Sequence, residues 1–139
     1  MLDKEQISIM IKDIERYLSD LSEMDIQTKK DLEEKEKYYA MSMVIFAVMN
    51  RTIDIGNEIL AGTPKAQTPG TYKDTFEILT QNKIISANTS NKMIKLMKYP
   101  NVIAHEYYTI SVEEMYRLKN ELHEVDIFVD EIKKYLKNK

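Results

Sequence analysis

Apolar residues along this chain recur every three or four positions and do not settle into alternation. Near the start, Ile7, Ile11, Ile14, Leu18 and Leu21 make one stripe, the pattern of an amphipathic helix. Asp3 and Glu5 put negative charge at its beginning, where the helix dipole favours it. A second, longer helix is predicted from about Asp31 to Ala61, charged at first ("DLEEKEK") and then apolar nearly all round ("YYAMSMVIFAVMN"). An all-round apolar helix is covered by neighbours or by a second subunit. Asp54 and Asn57 stand among Ile53, Ile55, Ile59 and Leu60, so they must find hydrogen bonds inside the fold or across an interface. The stretch "AGTPKAQTPGT" then breaks the pattern. Beyond it, "TYKDTFEILTQNKII" and "SNKMIKLMKY" predict two short helices, the first capped by Thr71 and Asp74. A last helix opens on a capping box, Ser111 and Glu114, and carries Val112, Met115, Leu118, Leu122, Val125 and Phe128 on its apolar side. With no β signal and no internal repeat, the expected fold is an all-α antiparallel bundle of about five helices, one domain spanning residues 1–139.

Composition narrows the class without naming a chemistry. A chain of 139 residues can bury a small core, and 43% hydrophobic with 31% charged residues is ordinary for a soluble domain. Without cysteine there is neither a disulfide framework nor a thiolate zinc site. The N-terminus lacks the basic-then-apolar order of a signal peptide, and no apolar run approaches the ~20 residues of a membrane span, so a cytoplasmic protein is expected. A net charge of −3 argues against a general nucleic-acid coat, though it leaves room for a nuclease with a local basic patch. The 9 methionines suit gaps in a core or an interface.

The candidate chemistry lies in "KYPNVIAHEYYTI", residues 98–110, which holds one of the 2 histidines. At ~100° per residue, Asn101 and His105 share one helix face. Imidazole titrates near neutrality and suits proton transfer from a ribose 2′-hydroxyl, while Asn101 can orient it or touch a phosphate oxygen. His105 could equally be a hydrogen-bonded histidine inside the bundle, and Tyr107 and Tyr108 could be amphipathic residues at its edge. Other groupings say less. Glu33, Glu34 and Glu36 read as a solvated face; His123 beside Glu121 and Glu124 reads as a surface histidine; Lys92, Lys95 and Lys98 form a basic helix edge that could meet phosphates.

The stretch from "TPGTYKDTFEILTQNKIISANTSNKMIKLMKYPNVIAHEYYTISVEEMY", with the preceding "AVMNRTIDIGNEIL", resembles the HEPN superfamily, and within it the HepT-like toxins paired with a minimal nucleotidyltransferase. Asn101, His105 and Tyr107 match the asparagine, histidine and tyrosine of that family's R-N-x-x-x-H-x-Y motif. The resemblance implies a homodimer whose two subunits build a metal-independent ribonuclease site for RNA, needing no cofactor. It implies an antitoxin partner, the nucleotidyltransferase, that adds AMP to the tyrosine, here Tyr107. It casts His105 as the proton-transfer residue, with Asn101 beside it. The chain departs from the motif at Pro100, where the family has an arginine that steadies the phosphate; proline supplies neither charge nor donor. Lys98, Lys95 and Arg51 are the candidate replacement cations, although lysine lacks the bidentate fork. The resemblance therefore implies weakened cleavage. A non-catalytic module that binds the nucleotidyltransferase or a nucleotide is the alternative.

Overall fold

The computed structural model describes residues 1–106 and 109–139. Helix α1 (Lys4–Ser22) starts where the Asp3 carboxylate accepts the Gln6 N–H at 3.0 Å, satisfying one of the first turn's open donors. Its predicted stripe turns inward: Ile7, Ile11, Ile14 and Leu21 are buried, and Leu18 packs against the same core. The long helix α2 (Lys35–Ala61) begins four residues later than its pattern suggested. Asp31 instead belongs to a separate short helix, at the third position of a capping box whose N-cap is Thr28. Its Oδ2 accepts the Gln27 and Thr28 N–H groups at 2.9 and 3.0 Å and closes a separate 3₁₀ turn, Lys29–Glu33. Those backbone hydrogen bonds to Thr28 and Gln27 lower the Asp31 pKa.

Helix α2 is the centre of the bundle, packed against α1 and, in turn, α3 (Tyr72–Gln81), α5 (Tyr99–Glu106) and α6 (Val112–Glu121). Its approach to α3 is close because Gly56 has no side chain: a Cβ there would lie 2.7 Å from the Thr75 Cγ2. The Thr75 hydroxyl donates to Asn57 Oδ1 at 2.7 Å, so Asn57 finds its hydrogen bond inside the fold. Thr71 and Asp74 form the expected capping box, with Asp74 Oδ2 also accepting the Gly70 N–H. Helix α3 ends in a Schellman turn: the Lys83 N–H donates to the Thr80 carbonyl and the Ile84 N–H to the Leu79 carbonyl, both at 2.9 Å. Helix α4 (Ala87–Leu96) follows, and it packs on α3 and on α7 (His123–Lys137).

The structure is the expected all-α bundle, divided more finely at its end, where the single last helix of the pattern is α6 and α7. Leu122 joins them in near-helical backbone (φ −64°, ψ −15°), so the apolar spacing runs through the break. Ser111 caps α6 by accepting the Glu114 N–H at 3.1 Å. The other half of the capping box is absent, because the Glu114 carboxylate turns to Tyr99 and Arg117. One core joins all the helices, with Phe76 and Phe128 in edge-to-face contact at 5.8 Å. Among the described residues no helix is long and apolar enough to cross a membrane.

Candidate functional site

Two tyrosines fix helix α5 and the chain that follows it. Tyr99, only 6% exposed, donates its hydroxyl to Glu114 Oε2 at 3.1 Å and accepts from Arg117 Nη2 at 3.0 Å. Hydrogen bonds to Glu121 and Tyr99 stabilise the charged form of Arg117 and raise its pKa, so this clamp between α5 and α6 stays charged. On the opposite flank the Tyr38 hydroxyl, from α2, donates to the Ile110 carbonyl at 2.7 Å. Burial raises the Tyr38 pKa and keeps that donor protonated.

With Tyr99, Pro100 and Ile103 turned into the bundle, the other side of α5 presents Asn101, Ala104, His105 and Glu106 to solvent. The sequence spacing is thus realised: Asn101 and His105 share an exposed face. Neither side chain makes a hydrogen bond or ion pair with the described residues, and His105 is exposed, outside the core. Pro100 lies in the first turn of α5, where a missing N–H is tolerated. Its side is buried, so an arginine in this place would have to run its stem outward along the helix to present its head beside Asn101.

Beside this face lies a feature that the pattern did not reveal. An open apolar groove of about 370 Å³ runs between α2 and α5, lined by Tyr39, Ser42, Met43, Phe46, Ile103 and Ala104. Met43 is 66% exposed and Tyr39 51%, on the very helix read as apolar all round. The apolar run hid which of its sides the bundle leaves uncovered.

Two of the three candidate cations are engaged elsewhere. Arg51 Nε meets Asp13 Oδ2 at 3.1 Å and Arg51 Nη1 meets Asp54 Oδ2 at 3.2 Å, tying α2 to α1. Lys95 lines a small cleft with Lys92, Glu121 and Glu124. The Lys98 ammonium sits 5.1 Å from the centre of the Tyr99 ring, a cation–π contact. No hydrogen bond or ion pair among the described residues joins any of the three to Asn101 or His105. Tyr107, the expected AMP acceptor, lies outside the described residues. No group of three or more His, Cys, Asp or Glu among the described residues could hold a metal ion.

Residues 7–132 match the family model described as "Ribonuclease HepT-like". The chain belongs to the HepT-like family. Over 66 residues this HepT-like chain is 29% identical to a Bacillus subtilis (strain 168) protein named "Putative RNase YutE". That match spans 48% of the chain and only 45% of the relative, less than half its length. The solved structure of YutE, reported as a cytosolic protein of unknown function from Bacillus subtilis, superposes with a TM-score of 0.84 at 24% identity, covering 99% of this chain and 92% of that one. A structure described as "Crystal structure of the toxin-antitoxin with AMP-PNP" superposes with a TM-score of 0.83 at 20% identity, covering 95% and 99%. These likenesses carry the fold, and the family match carries the membership.

Proposed function

We propose that this HepT-like protein is a ribonuclease toxin that acts as a homodimer through His105 and is weakened by Pro100. The observation that carries the reading is the solvent face of α5, where Asn101 and His105 stand together without a hydrogen-bond or ion-pair partner among the described residues, next to an uncovered apolar groove. A second copy laid on the groove would cover Met43 and Tyr39 and bring two such faces into one cleft.

In that cleft the His105 imidazole takes the proton of a ribose 2′-hydroxyl as its oxygen attacks the adjacent phosphorus. The new O2′–P bond replaces the P–O5′ bond, leaving a cyclic phosphate, and the departing 5′-oxygen takes a proton from imidazolium or water. Asn101, one turn earlier on the same face, orients the ring or donates to a phosphate oxygen. The developing negative charge lacks the guanidinium that the family motif would place at position 100. Losing one such donor costs ~10²–10³ in rate.

In this reading, the partner is a nucleotidyltransferase antitoxin that silences the site by transferring AMP from ATP to the Tyr107 hydroxyl, with pyrophosphate leaving. The bulky anion then stands two residues from His105. A second reading, a non-catalytic module that binds such a partner or a nucleotide, draws support from Arg51 and Lys98 being engaged away from His105 and from Lys95 lining a different cleft. Metal-free protein incubated with RNA decides between them: cleavage that His105→Ala abolishes supports the ribonuclease, and identical traces for the two proteins support the module.

A further inference from the structure

A second groove, about 500 Å³, lies between the turn joining α3 to α4 and the last turns of α7, lined by residues that include Thr80, Lys83, Ser86, Glu131, Lys134 and Tyr135. Its acidic residue is already satisfied. Glu131 Oε1 accepts the Ser86 N–H at 2.7 Å and Glu131 Oε2 accepts the Thr89 hydroxyl, so this carboxylate is committed to the N-terminus of α4. The two lysines are not committed: neither Lys83 nor Lys134 makes an ion pair or hydrogen bond through its ammonium among the described residues. The groove wall also holds the Thr80 hydroxyl, buried and without a partner among the described residues. The Tyr135 ring on its wall carries the Lys139 ammonium 5.2 Å from its centre.

Lys83 itself sits where its side chain is a structural disadvantage. It occupies the C′ position of the Schellman turn with φ of 59°, the left-handed conformation in which glycine is favoured. The turn does not call for a lysine; a ligand that needs a cation at this place would. In a chain of net charge −3, two uncommitted lysines lining one groove suit a phosphate more than a neutral ligand.

We infer that this groove binds a phosphodiester of the RNA chain, with Lys83 and Lys134 as its cations, anchoring the strand away from His105. The inference rests on the ribonuclease reading for its ligand, but the test reads binding alone. The full-length protein carrying His105→Ala, which cannot cleave, is titrated against a fluorescent single-stranded RNA in EDTA across about 50–200 mM NaCl. Each phosphate contact on a single strand contributes ~0.7 to the slope of log affinity against log salt. Adding Lys83→Gly and Lys134→Ala should flatten the slope by about 1.4 and weaken binding roughly tenfold or more at the low-salt end. Lys83→Gly alone should raise the Tm while flattening the slope by about 0.7, a pairing that a purely structural lysine would not give. An unchanged slope in the combined variant overturns the inference. So does calorimetry in which AMP binds the protein, loses binding in the combined variant, and RNA binding stays intact, since the groove would then serve a free nucleotide. Failure of both the wild-type protein and Pro100→Arg to cleave RNA would remove the ribonuclease reading without touching these slopes.

Discussion

Met43→Asp should break the proposed dimer and leave the protomer folded. The side chain is 66% exposed on the floor of the groove between α2 and α5, so its removal opens no cavity. Fully burying a methionine side chain stabilises by ~1.5–3 kcal/mol. About two thirds of that remains to be gained on association, or about 1–2 kcal/mol per copy. A two-fold interface uses the same patch twice, giving about 2–4 kcal/mol and hence roughly 30- to 1,000-fold in dissociation constant. Desolvating the new carboxylate adds to the loss. Within the protomer, the change in helix propensity is below about 0.7 kcal/mol. Sedimentation equilibrium over a dilution series reads the dissociation constant, and circular dichroism reads the fold. A dissociation constant within threefold of wild type would refute the placement of the interface, and a wild-type protein that is monomeric at tens of micromolar would refute the interface itself.

Gly56→Ala should destabilise by about 1–2 kcal/mol and lower the Tm by about 3–8 °C: the new Cβ meets the Thr75 Cγ2 at 2.7 Å, and hydrogen bonds to Asn57 and the Thr71 carbonyl hold that threonine in place. The improved helix propensity of alanine offsets only part of this; an unchanged Tm would mean that α2 and α3 are not so close. Asp126→Asn should raise the Tm at neutral pH. Burial, then Asp130 and Glu15, raise the Asp126 pKa in the fold, so its charged form weakens the native state above that pKa and costs nothing below the unfolded value. The gain should therefore vanish as the pH falls through the carboxylate range, and a gain independent of pH would contradict the cause. Tyr107→Phe should abolish AMP addition by the nucleotidyltransferase with ATP, read by mass spectrometry; undiminished addition would move the modification to another residue.

The parts of the fold legible in the sequence were those written in local spacing. The α1 stripe, the Thr71–Asp74 cap and the common face of Asn101 and His105 each follow from residues three or four apart. What escaped depends on partners distant in the chain. Arg51 looked available until the fold brought Asp13 to it. Glu114 looked like half of a capping box until Tyr99 and Arg117 claimed its carboxylate. The α6–α7 break carries no glycine or proline, because Leu122 remains near helical geometry. The uncovered side of α2 is invisible to periodicity, since a helix apolar all round does not say which side its own bundle fills. Lys83 escaped for a different reason: its turn is one in which glycine is the usual residue, and the sequence shows no glycine there.

The central claim is that His105 belongs to a ribonuclease site weakened by the loss of one cation at position 100. The measurement that tests it is the rate of RNA cleavage in EDTA by three proteins: wild type, Pro100→Arg, and Pro100→Arg with His105→Ala. Position 100 lies in the first turn of α5, one residue before Asn101, where a long arginine stem can lead its guanidinium outward. The account predicts that Pro100→Arg cleaves roughly 10²–10³ faster than wild type, and that His105→Ala erases the gain. A well-folded Pro100→Arg protein no faster than wild type, or one whose gain survives the loss of His105, would contradict it.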